Sequence, residues 1–228
     1  MNRIYLVGSG ESLTKHVDNL NNSVYPKFCI NNSLKLVKPD YWFGGDVYIK
    51  HLFPDWLWKH ECKKYLPNPK GEILQYIGKA DERALAYLEH VKNKEYINIG
   101  YYYDKETFLS SEQIQIGYAS RHNIHLLVNN IMTFCSSSSM LPPLRLCYDL
   151  GFKEIVLVGV DLHWKESFYA YQKLTMVGHL KQLEDDRFNF LMNMLVELIP
   201  VYKEHGCEIK VVDDDNFLAK HTNTTCII

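Results

Sequence analysis

Short apolar runs alternate with longer amphipathic stretches along most of the chain. The apolar runs, rich in β-branched and aromatic residues, predict strands over residues 3–7, 27–30, 41–43, 72–77, 96–102, 154–158 and 208–212. Apolar positions three and four apart predict helices over residues 12–20, 49–64, 80–92, 140–150, 186–205 and 216–220. Strands and helices that alternate in this order form an open, mostly parallel sheet. The pattern therefore predicts an α/β, Rossmann-like fold: a mostly parallel twisted sheet with helices on both faces.

Three segments depart from the alternation. Residues 104–122 are polar and irregular, which indicates a surface excursion, and residues 125–134 are apolar without a clear strand or helix period. Residues 165–183 predict a short mobile lid. Because the sequence carries no internal repeat and no boundary between domains, we expect a single α/β domain over residues 1–228, with the lid as an insert.

The first predicted strand runs into two glycines, Gly8 and Gly10, with Ser9 between them. A strand, a tight turn and a helix start offer free backbone N–H groups and the positive end of a helix dipole, both of which suit a phosphate. The glycines permit a sharp turn and a close approach to a ligand. An ordinary turn with Ser12 as the helix N-cap explains the same residues, so both interpretations stay open.

Small or polar residues follow four of the predicted strands. They are Gly8–Gly10 after the first strand, Asn31 after the second, Asp46 after the third and Asp161 after residues 154–158. In open α/β sheets the ligand sits beyond the carboxyl ends of the strands. The sequence therefore predicts one binding crevice at this edge.

Composition narrows the classes of partner. The 228 residues are 46% hydrophobic and carry a formal net charge of −2, so no global positive charge favours nucleic acid. The six cysteines are scattered without metal-binding spacing, which indicates reduced thiols in a cytoplasmic protein. No signal-peptide pattern opens the chain, and no window reaches the roughly 18 apolar residues of a membrane span. An oligomer remains possible.

Taken together, these segments resemble the bacterial lipooligosaccharide sialyltransferases (glycosyltransferase family 42) and, more loosely, the pterin diphosphokinase-like group. The resemblance covers roughly residues 1–46 and 136–220. The matching segments are Gly8-Ser9-Gly10-Glu11-Ser12-Leu13, Asn31, Ser138-Ser139, Leu150-Gly151-Phe152-Lys153-Glu154-Ile155, Gly159-Val160-Asp161-Leu162-His163, Tyr169-Ala170-Tyr171, Val177-Gly178-His179 and Asn216-Phe217-Leu218-Ala219.

The resemblance implies inverting transfer of a sugar from a nucleotide-activated donor, usually a CMP-activated sialic acid, to an acceptor hydroxyl. It implies that no metal is obligatory, although Mg²⁺ is possible. His179 would be the general base and Tyr169 would stabilise or protonate the departing phosphate oxygen. His163 would contact phosphate, where the family has tyrosine, or would be structural.

The resemblance also implies a donor site. Gly8, Ser9, Gly10 and Asn31 would hold the nucleotide, and Ser138 and Ser139 would receive an anionic part of the donor. Asp161 would bind a ribose, orient His163 or cap the strand turn. Asp46 would accept a hydrogen bond from a ribose hydroxyl or bind a metal together with Asp161.

Departures from the family leave alternatives open. Ser9 and Ser136 stand where the family has asparagine and arginine, and the lid is shorter. Another nucleotide sugar, or an acceptor such as a modified DNA base rather than a glycan, therefore remains possible. Two rival functions are a metal-dependent diphosphokinase of the pterin type and a non-catalytic nucleotide-binding module.

An aromatic and basic surface is a further expectation. Its residues are Trp56, Trp58, Tyr101, Tyr102 and Tyr103 with Lys59, Lys63 and Lys64. Such a set could stack on rings and bind phosphates. A packed edge of the core explains most of the aromatic residues equally well. The acidic run 213–215 is likewise either a metal site or a solvated loop.

Overall fold

The computed structural model describes residues 2–44, 55–67, 97–102, 114–117, 139–161, 189, 192–193, 195–212 and 218–222. Within these ranges the strands are β1 (Arg3–Val7), β2 (Lys27–Ile30), β3 (Tyr41–Phe43), β4 (Lys63–Pro67), β5 (Ile97–Tyr102), β6 (Ile114–Gly117), β7 (Glu154–Val158) and β8 (Glu208–Val211). They form one sheet in the order β6-β5-β4-β3-β2-β1-β7-β8. Every neighbouring pair is parallel. The predicted α/β fold is confirmed.

Helices lie in the connections that the structure describes between these strands. The α-helices are α1 (Val17–Asn22), α2 (Asp55–Lys59), α3 (Leu141–Asp149), α4 (residues 195–204) and α5 (Ala219–Thr222), with 3₁₀ helices over Glu11–Lys15 and Asn31–Lys35. Pro142 and Pro143 lie in the first turn of α3, where their missing N–H groups cost no hydrogen bond. Gly151 ends this helix with a φ of 88°.

Both faces of the sheet are covered by helices, as predicted. Side chains alternate along β1, so that Ile4 and Leu6 join one buried cluster while Tyr5 and Val7 join the other. Residues of α3 and α4 complete the first cluster, and residues of both 3₁₀ helices, α1 and α2 complete the second. Burial on both faces explains why these strands read as continuous apolar runs.

Three predicted elements differ from the structure. The helix expected over residues 12–20 is two pieces, because a 3₁₀ helix ends at Lys15 and α1 begins at Val17. The helix expected over residues 49–64 ends at Lys59, and Lys63–Pro67 is strand β4. Part of the expected irregular excursion is strand β6. β4 and β6 are strands because they pair with the neighbouring strands β3 and β5. The local pattern of apolar residues does not indicate such pairing, so the sequence did not predict these strands.

Several expectations lie outside the described residues. They are the strand over 72–77, the helix over 80–92, the apolar segment 125–134, the lid over 165–183 and the acidic run 213–215. Of the cysteines, Cys29, Cys62, Cys147 and Cys207 are described, and all four are free thiols. Nowhere in the described ranges does a helix have the length and apolar character needed to cross a bilayer.

An ion-pair network joins β1, β7 and β8 where these strands begin. The Glu154 carboxylate accepts hydrogen bonds from Arg3 and, at 2.9 Å, from the Lys210 ammonium. Burial raises the pKa of Glu154, but these two hydrogen bonds outweigh it, and the net pKa lies below its usual value. A carboxyl whose pKa is lower in the folded state stabilises the fold above its unfolded pKa, and this contribution is lost as pH falls through the folded pKa.

We therefore expect Glu154→Gln to lower the free energy of unfolding at pH 7 by about 1–2 kcal/mol, because hydrogen bonds to charged groups exceed neutral ones. The difference between variant and wild type should be smaller at pH 3, because it shrinks as the pH falls below the usual pKa of a glutamate toward the lowered pKa of Glu154 in the folded state. Urea unfolding at both pH values measures this. Glu208→Gln is the matched control. The Glu208 side chain is 44% exposed and lies 3.2 Å from the Lys210 ammonium, so this substitution should lower the free energy of unfolding by less than about 0.5 kcal/mol. Equal losses at both pH values would contradict the ionic explanation.

Candidate functional site

The strand order reverses at β1, which lies between β2 on one side and β7 on the other. The chain proceeds from β1 to β6 in one direction and then returns to place β7 and β8 beyond β1. Ligands of open α/β sheets bind at such a switch point, beyond the carboxyl ends of the strands. The switch point therefore brings the segment 8–10 beside the segment 159–161.

These two segments are held together through their backbones. Gly8 N–H donates to Val158 O at 2.8 Å, and Gly10 N–H donates to Gly159 O at 2.8 Å. A Cβ atom at Gly8 would lie 2.4 Å from Gly159 O, and one at Gly10 would lie 2.8 Å from the same oxygen. Real Cβ atoms do not approach a backbone oxygen so closely. Both glycines are therefore required for the contact between the two segments.

The carboxylate of Asp161 closes this contact. It accepts a hydrogen bond from Ser12 N–H at 2.9 Å and another from the Ser12 hydroxyl. A Cβ at Gly10 would lie 2.7 Å from the same carboxylate. The structure corrects the expected N-cap: the 3₁₀ helix begins after Gly10, and Ser12 lies inside it. Asp161 satisfies the free N–H of Ser12 at the positive end of this helix.

The pair formed by Ser12 and Asp161 gives a testable coupling. We expect Ser12→Ala and Asp161→Ala each to lower the free energy of unfolding by about 1–3 kcal/mol. The double variant should cost less than the sum, with a coupling of about 0.5–3 kcal/mol, because each single change already breaks the shared hydrogen bonds. Urea unfolding of the four proteins measures it. Strictly additive losses would show that the two side chains do not act together.

Asn31 stands at the end of β2 in a backbone conformation that few residues adopt. Its φ is 47°, a left-handed value that asparagine tolerates better than most side chains. The indole N–H of Trp42 donates to Asn31 O at 2.9 Å and so links this turn to β3. The end of β2 is thereby fixed next to the end of β1.

Ser33 is a site residue that the sequence interpretation missed. It is fully buried, and its hydroxyl accepts from Ile30 N–H at 3.0 Å. The same hydroxyl lies 2.9 Å from both Val7 O and Ile30 O, so it donates to the end of β1 or to the end of β2. The available signal was a serine three residues beyond a strand end, a spacing that allows such a local hydrogen bond.

Ser139 lies at the carboxyl edge of the sheet. The residues that follow α3 lie at the opposite edge, where the strands begin. Lys153 N–H donates at 2.8 Å to the backbone oxygen of Asn2, which directly precedes β1. Phe152 packs edge-on against Tyr41, the first residue of β3, with ring centroids 6.1 Å apart. Helix α3 packs on β1 and β2 and runs from one edge of the sheet to the other. Its first turn, with Ser139 just before it, is therefore on the side where β1 ends.

Cys29 is the thiol within β2, two residues before Asn31. Complete burial raises its pKa to about 12, although the Ser33 side chain opposes the shift. A thiol with so high a pKa stays protonated at neutral pH and is a poor nucleophile. Nucleophilic catalysis by this cysteine is therefore not supported.

The predicted site residues divide into two groups. The structure brings Gly8, Ser9, Gly10, Asn31, Ser139 and Asp161 to one edge of the sheet. Asp46, Ser138, His163, Tyr169 and His179 lie outside the described residues. Across the described ranges, no three His, Cys, Asp or Glu side chains come close enough to hold a metal ion together.

Comparison with solved structures finds distant likenesses to sialyltransferases, the class that the sequence motifs resemble. The monofunctional α-2,3-sialyltransferase Cst-I from Campylobacter jejuni is 16% identical, with a TM-score of 0.43 over 97% of this chain and 79% of its own. CstII from Campylobacter jejuni with cytidine-5′-monophosphate is 15% identical, with a TM-score of 0.40 over 97% and 84%. CST-II with a trisaccharide acceptor and CMP is 16% identical, with a TM-score of 0.41 over 99% and 89%. No protein family and no curated protein matches the sequence.

Proposed function

We propose that this chain is a glycosyltransferase that moves a sugar from a nucleotide-activated donor to an acceptor hydroxyl. The observation that carries the proposal is the close contact of Gly8 and Gly10 with the segment 158–161 at the switch point of a parallel sheet. Nucleotides bind at switch points of this kind. The motifs at these positions are the ones that resemble sialyltransferases, so the donor we propose is a CMP-sialic acid or a similar nucleotide sugar.

The donor is proposed to bind along the carboxyl ends of β1, β2 and β7. Gly8, Ser9 and Gly10 would lie against the nucleotide, with Asn31 beside them. Ser138 and Ser139 would face an anionic part of the donor at the start of α3 with their hydroxyls and with the positive end of the helix dipole, since Pro142 and Pro143 supply no N–H there. Asp161 would have two roles in the same site. Its hydrogen bonds to Ser12 would hold the segment 8–12 in position, and it would also bind the ribose.

The chemical step is proposed to use the residues that the sequence motifs identify. His179 would accept the proton of the acceptor hydroxyl as the C–O bond to the sugar forms, with inversion at the sugar carbon. Histidine suits this task because its ordinary pKa lies near neutral pH. Tyr169 would stabilise or protonate the phosphate oxygen that leaves, and His163 would contact the same phosphate.

A panel of donors tests the proposal. CMP-, UDP- and GDP-sugars and ATP would each be incubated with the protein, with and without Mg²⁺, and thermal shift and donor hydrolysis would be measured. We expect one class of nucleotide sugar to raise the melting temperature and to be hydrolysed slowly without metal. A donor at 100 times its Kd should stabilise the fold by about 2.7 kcal/mol.

The same panel separates the proposal from its rivals. Stabilisation by ATP only in the presence of Mg²⁺ would reject a glycosyltransferase in favour of a diphosphokinase. Binding of a nucleotide sugar without any turnover, across glycan and DNA acceptors, would indicate a binding module. The diphosphokinase would need carboxylates such as Asp46 and Asp161 as metal ligands, and each carboxylate oxygen of Asp161 accepts one hydrogen bond from Ser12.

A further inference from the structure

A cavity of about 800 Å³ opens at the amino-terminal edge of the sheet, opposite the proposed donor site. Its lining comes from Pro26 before β2, from Asp40 and Tyr41 at the start of β3, and from residues 58–64 between α2 and β4. Small-molecule sites in proteins have volumes of this order. No step of the proposed transfer reaction uses this cavity.

Lysines outnumber carboxylates around the cavity. Lys59, Lys63 and Lys64 line it together with two acidic residues, Asp40 and Glu61. The chain as a whole carries a net charge of −2, so the local balance is opposite in sign to the global one. A concave, positively charged surface concentrates anions.

Two of these charged groups are already engaged. The Lys64 ammonium donates to His60 O at 2.7 Å and to Cys62 O at 3.2 Å. The Asp40 carboxylate accepts from Lys27 N–H at 2.8 Å and lies 3.5 Å from the Lys27 ammonium. Asp40 is thus neutralised by a lysine outside the cavity lining, which leaves the cavity more basic.

Lys59 and Lys63 are the exposed cations of the cavity. Lys59 ends α2 and Lys63 begins β4, so a short turn brings them to the same rim. The Lys63 ammonium lies 5.9 Å from the centre of the Tyr41 ring, and Tyr41 lines the same cavity. The half-buried Trp58 supplies an apolar wall between the two lysines and the core.

We infer that this cavity binds the phosphate group of a small phosphorylated molecule, at a second site separate from the proposed donor site. Lys59 and Lys63 would donate charge-assisted hydrogen bonds to the phosphate oxygens. An extended polyanion such as a nucleic acid fits less well, because the exposed Glu61 carboxylate stands on the same rim. Of the aromatic and basic surface expected from the sequence, Trp58, Lys59, Lys63 and Lys64 line this cavity, whereas Tyr103 lies outside the described residues.

The test uses inorganic pyrophosphate, glycerol 3-phosphate and CMP as separate probes, at ionic strength held constant with NaCl because salt screens exposed charges. Calorimetric titration of the full chain gives the affinity of each. We expect Lys59→Ser/Lys63→Ser to weaken binding of at least one probe by about 10-fold or more. The matched control is Lys15→Ser/Lys203→Ser, which changes the net charge equally at exposed lysines outside the cavity and should bind as the wild type does.

Cys62 provides a local readout on the wild-type protein, because it is half-buried and lines the cavity. A probe at ten times its Kd should slow alkylation of Cys62 about 10-fold, measured by peptide mapping. Unchanged alkylation together with equal affinity in both lysine variants would overturn the inference. CMP binding that persists without Cys62 protection belongs to the proposed donor site, so the two proposals can fail independently.

Discussion

Replacing His179 by alanine is expected to lower sugar transfer by about 10²–10⁴-fold while leaving nucleotide binding nearly unchanged. General acid–base catalysis by one side chain contributes a rate factor of this size. A base that contacts only the acceptor hydroxyl contributes little to the affinity for the donor. Transfer would be measured with the donor identified by the panel, and nucleotide affinity by titration of the same protein. The expected signature is a lower kcat at constant donor Kd.

His205→Ala is the matched control for this variant. His205 follows α4, and its N–H bonds to Val201 O through the backbone, which the substitution keeps. We expect it to transfer sugar as the wild type does. Unchanged transfer by His179→Ala would remove this residue from the mechanism. A parallel loss of nucleotide affinity would instead indicate that His179 supports the donor site.

Gly159→Ala is expected to cause a large loss of stability, because it combines an unfavourable backbone conformation with a steric overlap. Gly159 has a φ of 67°, and its Cβ would lie 2.9 Å from both Gly8 O and Leu13 Cβ. The left-handed backbone and the overlap together should cost about 2–5 kcal/mol. For a chain of this size the melting temperature falls by about 2–4 °C for each kcal/mol. Nucleotide affinity should fall as well, because the overlap pushes the segments at the switch point apart.

Gly206→Ala separates the two contributions. Gly206 has a similar φ of 72°, but nothing lies within 4 Å of the position that its Cβ would take. This variant should lose only the left-handed backbone term, about 1–2 kcal/mol, and should keep nucleotide affinity. Urea unfolding measures the free energy of unfolding of both variants. Equal decreases would show that the steric overlap at Gly159 adds nothing to the cost of the left-handed backbone.

The sequence predicted the strands around the candidate site with high fidelity. The bounds of β1, β2, β3 and β7 match the apolar runs from which they were predicted. Each run is buried on both faces and ends at glycine or asparagine, so composition marks both its interior and its end. The segment Lys63–Pro67 carries no such run. Two lysines open it, and only its pairing with β3 makes it a strand.

The sequence also predicted which strand ends would collect small and polar residues, but not how these ends meet. Ser12 and Asp161 are 149 residues apart, and nothing in the local pattern links them. The same is true of Ser33, whose hydroxyl lies 2.9 Å from Val7 O. Such contacts depend on which strands become neighbours and in what register, and both are set by packing across the whole sheet.

The amino-acid sequence by itself determined the α/β class, the main strands and the edge at which small and polar residues collect, because hydrophobic period and chain breakers act locally. The tertiary structure alone decided that β7 lies beside β1, that Asp161 caps the helix start at Ser12, and that Lys59 and Lys63 border a cavity at the other edge. These features arise between residues distant in sequence, whose approach is fixed only when the sheet is assembled.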